Sequence, residues 1–311
     1  MRAVRVAAFG SPEMAQIETV ERPEVGEGEV LLKVCAAGVN PVDAKIVAGR
    51  LQGRLPHHLP FTPGWDVAGL IVARGHAARR FDEGDPVFGY IRRPAVRDGA
   101  WAEYVCVPEC YLARKPPSLS FAQAAALPLA GLTAYQGLHD VGRLARGERV
   151  LVVGASGGVG GFALQLARVA GALSVAAIAR DTNHAYVQSL GAGAVYDYRR
   201  ADLADAVAAD TPEGFDLIFD AVGGDTVHRV AGALREGGRV VTILQHAPMP
   251  EGWRYHFVEP NARQLEILGA YAAAGLRVEI SRQYRLEDAA LALGDITSGH
   301  TRGKCVLSLL D

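Results

Sequence analysis

One stretch limits what this chain can fold into more than any other: residues 148–172, ERVLVVGASGGVGGFALQLARVAGA. It opens with β-branched and apolar residues at 150–153, the length and character of a strand buried in a parallel sheet. A glycine-rich turn follows, and then apolar residues at helical spacing, Phe162, Leu166 and Val169. Strand, glycine turn and helix in that order form the local structure that holds a nucleotide diphosphate. The glycines let the backbone approach the pyrophosphate, and the helix N-terminus presents free N–H groups to its negative charge.

The same letters fit three motifs. Ala155-x-Gly157-x-x-Gly160 is the dinucleotide fingerprint with alanine in the first glycine place. Gly154-x-x-x-Gly158-x-Gly160 fits the short-chain dehydrogenase turn, and Gly154-x-Ser156-x-Gly158 fits a nucleophile elbow with Ser156 as a hydrolase serine. Context separates them. The short-chain enzymes need a Tyr-x-x-x-Lys pair downstream, whereas Tyr111-x-x-x-Lys115 lies upstream and the only later lysine is Lys304. A hydrolase elbow could draw on His246, His256 or His300, but it needs βα units before it, and the first 118 residues show none. The dinucleotide reading is favoured; a glycine turn without a ligand is its remaining alternative.

At 311 residues the chain is long for one core and comfortable for two domains. A net charge of −2 argues against a nucleic-acid surface and a polybasic membrane patch. With neither a leader pattern nor a run of eighteen apolar residues, a soluble, cytoplasmic protein is expected. Cys35, Cys106, Cys110 and Cys305 are scattered and read as small core residues in a reducing compartment.

Residues 1–115 alternate short apolar runs with Gly and Pro turn signals, which predicts a compact β unit with few helices. Pro116-Pro117 marks a boundary, Ser120 is placed to cap a helix over 121–127, and a second helix is predicted over 133–144. Strands and helices then alternate as far as residue 244, the pattern of a doubly wound parallel sheet. From about Leu276 short strands return around a small helix. The predicted architecture is α/β: a nucleotide domain, residues 119–274, inserted in a β domain formed by residues 1–118 and 275–311.

Several longer blocks add to this. GVNPVDAK (38–45), PFTPGWDVAGLI (60–71), FDEGDPVFGY (81–90), GAWAEYVCVP (99–108), LPLAGLTAYQGL (127–138), FDLIFDAVGG (215–224), GGRVVTI (237–243) and RGKCVLSL (302–309) occur in order across nearly the whole chain. Together with the glycine turn, the chain resembles the zinc-independent, quinone oxidoreductase-like branch of the medium-chain dehydrogenase/reductases. The resemblance implies a GroES-like β domain joined to a Rossmann domain, with the active site in the cleft between them. It implies no metal: Asn40 stands where zinc-dependent relatives carry their first ligand cysteine, and Trp65-Asp66 where they carry a His-Glu pair. The cysteine-rich lobe of those relatives is also missing. His57-His58, in a Pro-flanked loop, reads as a solvent-exposed pair. Without a Lewis acid, reduction of a conjugated carbonyl is easier than alcohol oxidation, because its charge delocalises.

An NAD-selective site places Asp or Glu about twenty residues past the glycines, on the ribose hydroxyls. Here that count lands on Arg180, whose guanidinium suits a 2′-phosphate through charge-assisted bonds worth about 1.5–3 kcal/mol, or about ten- to a hundredfold in affinity. Asp181 is the rival, a ribose carboxylate displaced by one, and a solvated strand-end charge is the plain alternative for Arg180. The resemblance adds Tyr198 beside the phosphate and makes NADPH the expected cofactor. It places Ser156, Gly157, Gly158, Val159, Val222 and Leu244 along the nucleotide, and Asn40 and Thr133 beside the nicotinamide.

Lys45 matches the NPVDxK variant of alkenal and enone reductases. In an apolar cleft it could polarise the substrate oxygen or supply the proton; otherwise it is a surface lysine after a turn. Trp65 and Tyr90 are expected to wall the pocket. The function implied is NADPH-dependent reduction of a quinone or of the C=C of an α,β-unsaturated carbonyl. An enoyl-thioester reductase and a non-catalytic NADPH-binding protein are the alternatives. Residues 254–258 form a plausible edge strand for a homodimer, or else a strand-like loop.

Overall fold

The computed structural model describes residues 1–245, 248–299 and 301–309, so His246 and His300 lie outside the described residues. The chain forms two compact units, one of Met1–Leu129 and the chain from Glu259 onward, the other of Ala130–Val258.

In the first unit, β1 (Arg2–Val6) and β2 (Ala15–Thr19) form an antiparallel pair. The larger sheet of this unit is built around β3 (Glu29–Val39). Along one edge β3 pairs antiparallel with β4 (Asp66–Arg74), which pairs in turn with β5 (Pro86–Tyr90). Its other edge takes β6 (Tyr104–Pro108) over the first half of the strand, and β7 (Leu112–Arg114) closes against β5. Nearly every residue of β3 is buried, the exposed exception being Lys33. Clean alternation fails there because the strand is covered on both faces. A short helix, α1 (Pro41–Val47), begins directly after β3, with proline in the first turn where no N–H is needed. Helix α2 (Phe121–Ala126) packs on β3 and β4. It starts where Ser120 predicts: the Ser120 hydroxyl accepts from Gln123 N–H at 3.1 Å, and the Gln123 side chain accepts from Ser120 N–H at 3.0 Å.

Helix α3 (Pro128–Gln136) ends sooner than the sequence pattern suggests, and a π-helical turn follows over Gly137–Val141. Phe219 packs against Gly137, where a Cβ would lie 2.5 Å from the ring. The second unit is otherwise the predicted alternation. Strands β8 (Arg149–Val153), β9 (Ser174–Ile178), β10 (Ala194–Tyr196), β11 (Phe215–Asp220), β12 (Leu234–Thr242) and β13 (Trp253–Tyr255) are all parallel, in the order β10-β9-β8-β11-β12-β13. Helices α4 (Gly158–Val169), α5 (His184–Ser189), α6 (Leu203–Asp210) and α7 (Asp225–Val230) lie in the connections. The order reverses at β8 and β11, the switch point beyond which such sheets bind nucleotides. Among the described residues no parallel strand pair joined by a helix precedes β8, so the hydrolase-elbow reading of Ser156 has no scaffold.

The chain then returns to the first unit. Helix α8 (Ala262–Ala273) packs on β7, and β14 (Ile280–Arg285), α9 (Ala289–Thr297) and β15 (Lys304–Ser308) complete it. β15 is parallel to β14 and antiparallel to β3, with Cys305 opposite Val39. Helices α2 and α8 thus belong to the first unit, while the sequence pattern placed both with the nucleotide domain. Among the described residues no helix is long and apolar enough to cross a membrane.

The glycine turn gives the fold its clearest test. A Cβ on Gly160 would lie 2.2 Å from the Gly154 carbonyl oxygen and 2.8 Å from Ala155 Cα, both backbone atoms that cannot rotate away. Gly157 has a φ of −76°, and its nearest neighbour would be 3.5 Å from a Cβ. Gly160→Ala is therefore expected to cost about 1–3 kcal/mol, overriding any gain in helix propensity, while Gly157→Ala stays within about 0.5 kcal/mol. Urea unfolding of the two variants checks this; equal stabilities would mean that α4 is not pressed onto the turn.

Candidate functional site

At the nucleotide end, β8 leads into Gly154, whose φ of +81° is the left-handed region that glycine tolerates best. Val222 fills the space beside it, 2.1 Å from where a Cβ would be. Gly157 precedes the first turn of α4, so the N–H groups following it face outward as a ready anion cradle. Ser156, Gly157, Gly158 and Val159 are brought together here.

Val222 and Leu244, from the ends of β11 and β12, are held by a residue that the sequence pattern does not single out. Asp220 is fully buried, and its Oδ1 accepts from the N–H groups of Val222 at 3.1 Å and Gly223 at 2.9 Å. Its Oδ2 accepts from the Thr242 hydroxyl at 2.7 Å, and that hydroxyl accepts from Leu244 N–H at 3.1 Å. A buried aspartate thus fixes both loops.

Beyond β9, the Arg180 guanidinium donates to the Tyr198 hydroxyl at 3.0 and 3.2 Å, so these two residues do meet. Asp181, the rival carboxylate, is turned to Arg199, with 2.7 Å between Arg199 Nη2 and Asp181 Oδ1. Thr133, on α3, is buried.

In the first unit the chemistry gathers around the N-terminus of α1. Asn40, 1 % exposed, donates from Nδ2 to Asp66 Oδ2 at 2.9 Å, and its Oδ1 accepts from the Lys304 ammonium. Lys304 Nζ lies 3.8 Å from Asp66 Oδ2, and Leu129 N–H donates to Asp66 Oδ1 at 2.7 Å. Asp43 accepts from Asn40 N–H at 2.8 Å, as an acidic residue three positions into a helix can. Burial pushes the Asp66 carboxyl up and the Lys304 ammonium down, and the attraction between the two opposes both shifts.

Trp65 and Tyr90 meet edge to face, with ring centroids 6.2 Å apart. Both rings are buried, Trp65 with 5 % of its surface exposed and Tyr90 with none. Lys45 is not with them. It lies half-buried on another face of α1, lining a cavity of about 480 Å³ with Ser11, Pro12, Arg50, Leu293 and Thr297.

With this geometry in view, two family models match: an alcohol dehydrogenase GroES-like domain over residues 26–117 and a zinc-binding dehydrogenase over residues 190–307. A 2-methylene-furan-3-one reductase of Solanum lycopersicum is 36 % identical, aligned over 99 % of this chain and 79 % of its own length. The NADPH-dependent alkenal/one oxidoreductase, chloroplastic, of Arabidopsis thaliana gives the same identity and the same two coverages. The solved structure of the quinone oxidoreductase from Coxiella burnetii superimposes with a TM-score of 0.90 at 31 % identity, covering 100 % of this chain and 99 % of that one. The chain belongs to the quinone oxidoreductase-like branch of the medium-chain dehydrogenase/reductases. It is an oxidoreductase of the fold that binds nicotinamide dinucleotides.

Zinc, which one of the family models names, does not fit the residues present. The Asn40 amide is bound to Asp66 and Lys304, and the Lys304 ammonium already supplies a positive charge beside the Asp66 carboxylate. Among the described residues no three His, Cys, Asp or Glu side chains stand together to hold a metal.

Asp43 gives this cluster a pH signature. Burial, opposed by the Asn40 N–H and reinforced by the charge of Asp66, lifts its pKa to about 7. The unfolded value is near 4, so the folded chain retains a proton that the unfolded chain has lost between about pH 4 and pH 7. The stabilisation is full below the unfolded pKa and is gone once the pH passes the folded one. An asparagine at 43 can accept the same N–H without titrating. Relative to Asp43→Asn, the wild type should lose up to about 1.4 kcal/mol per pH unit over that interval and nothing further above it. Urea unfolding of both proteins at a series of pH values reads this directly; a pH-independent difference would mean that Asp43 stays charged.

Proposed function

We propose that the protein reduces quinones or the C=C bond of α,β-unsaturated carbonyls with NADPH, without a metal, and that Lys45 is the group that meets the substrate oxygen. The observation that carries the cofactor assignment is the pairing at the end of β9, where Arg180 rests on the Tyr198 hydroxyl while Asp181 is tied to Arg199. A guanidinium held by a neutral phenol keeps its charge for a 2′-phosphate. The backbone N–H groups at the start of α4 would hold the pyrophosphate, flanked by Ser156, Gly157, Gly158, Val159, Val222 and Leu244. Thr133 would border the nicotinamide, and so would Asn40, whose amide can both donate and accept. Bound NADPH supplies the hydride.

The protein's own task is orientation and charge. Asn40, fixed by Asp66 and Lys304, stands directly before α1, and α1 sets where Lys45 projects. The Lys45 ammonium can donate to a carbonyl oxygen as negative charge develops on it, or give it a proton, beside apolar walls such as Leu293 and Pro12. Support for conjugated substrates comes from the Solanum and Arabidopsis relatives and the Coxiella structure, whose names are those of furanone, alkenal and quinone reductases. The same reading makes the protein a cytoplasmic homodimer paired through β13. That strand has a single neighbour in its sheet, and Tyr255 on it is 40 % exposed. A sedimentation mass of one chain would exclude the dimer.

Steady-state NADPH oxidation against quinones, alkenals and enoyl thioesters tests the assignment, with turnover expected on the first two. Turnover confined to thioesters, or absent throughout, would overturn it. Lys45→Ala should lower kcat on enones by about a hundredfold and leave the Kd for NADPH unchanged, whereas unchanged turnover would leave Lys45 without a role. Arg180→Ala should raise the KM for NADPH by about ten- to a hundredfold and hardly affect NADH. Equal KM values for the two coenzymes, unaltered in that variant, would contradict the phosphate site.

A further inference from the structure

The end of β9 carries two adjacent side chains of opposite sign, and each suits a different coenzyme. Arg180 would attract a 2′-phosphate; Asp181 would repel it and would accept hydrogen bonds from an unphosphorylated ribose. What decides between them lies eighteen residues further on. The Arg199 guanidinium grips Asp197 from both nitrogens facing it, with Nε at 3.1 and 3.2 Å from the two carboxylate oxygens and Nη2 at 2.6 Å from Oδ2. The same Nη2 reaches Asp181 Oδ1 at 2.7 Å. Asp197 closes the circuit by accepting from Asp181 N–H at 2.9 Å and from Arg199 N–H at 2.8 Å. Asp181 Oδ1 also accepts from Thr182 N–H at 2.7 Å. β9 and β10 are parallel neighbours, with Ile178 opposite Tyr196, so both strands deliver these residues to one place.

We infer that Arg199 determines the coenzyme preference by holding the Asp181 carboxylate out of play, as a positioning residue that need not touch the coenzyme. The inference rests on the NADPH reading above and adds a residue to it. With the clamp closed, Arg180, Asp181, Asp197 and Arg199 sum to no net charge. Without Arg199 the group carries one negative charge, and Asp181, whose side chain is 61 % exposed, is left with its bond from Thr182 N–H and an unneutralised charge. A phosphate bearing about two negative charges meets that change as repulsion, while a ribose hydroxyl gains an acceptor. Asp197 is only 12 % exposed and keeps its own N–H bond to residue 181, so the backbone has an anchor that outlasts the guanidinium.

The test is a double-mutant cycle read by the Kd values for NADPH and NADH, measured by calorimetry on the full chain. Arg199→Ala should weaken NADPH about tenfold and leave NADH unchanged or tighter, so that the NADPH/NADH preference falls by about tenfold or more. Asp181→Ala should bind NADPH at least as tightly as the wild type. In Arg199→Ala/Asp181→Ala the NADPH affinity should return to within about twofold of the wild type, since the offending carboxylate has gone. Arg199→Lys, which keeps the charge but not the fork, should fall between wild type and alanine. An unchanged coenzyme ratio in Arg199→Ala overturns the inference, and so does a double variant as weak as the single one, because Arg199 would then act on the phosphate or on the fold directly. A wild type with no preference between the two coenzymes would instead remove the NADPH reading itself, and the inference with it.

Discussion

An ammonium and a carboxylate buried together hold the first unit in its working form. Lys304, on the last strand, and Asp66, at the start of β4, lie 3.8 Å apart with 5 % and 0 % of their side chains exposed. Either charge alone would be costly at that depth, and removing one would strand the other. Asn40 stands between them and accepts from a lysine 264 residues away in the chain. Because Asn40 immediately precedes α1, closing β15 against β3 also fixes the helix that carries Lys45. A strand that looks like simple completion of a sheet is thereby linked to the candidate reaction site.

The second unit solves a similar problem with backbone groups. Its parallel strands all end on one side, where their loops must be held open for a coenzyme. Asp220 does this by accepting from Val222 and Gly223 and, through Thr242, fixing Leu244. At the neighbouring strand ends, the Asp197–Arg199–Asp181 group leaves Arg180 leaning on Tyr198. Buried Asp220 thus fixes loop geometry, while the more exposed Asp181 is held by Arg199.

Much of this was legible in the letters because it is local. The span 215–220 is strand throughout, Ser120 caps its helix, and the alternation after residue 148 becomes a six-stranded parallel sheet. Other features depended on neighbours distant in sequence. The pattern over 133–144 reads as a continuous helix, but Phe219 presses on Gly137 and a π turn forms there. Tyr90, read as a pocket wall, is wholly buried and meets Trp65 edge to face. Lys304 carried a signal that could have been used: a single lysine opening an otherwise apolar strand calls for a buried partner.

By itself the sequence determined the two kinds of sheet and the glycine turn with its helix, and its ordered blocks carried the resemblance to the family. The sheets and the turn follow from short-range periodicity and from the conformational freedom of glycine. Only the tertiary structure decided that Asn40 is gripped by Lys304 and Asp66, that Lys45 lines a cavity with Ser11, Pro12 and Leu293, and that Asp181 is claimed by Arg199. The physical reason is that a buried or bridging charge is defined by its partner, and a partner is fixed by three-dimensional proximity, which spacing along the chain does not encode.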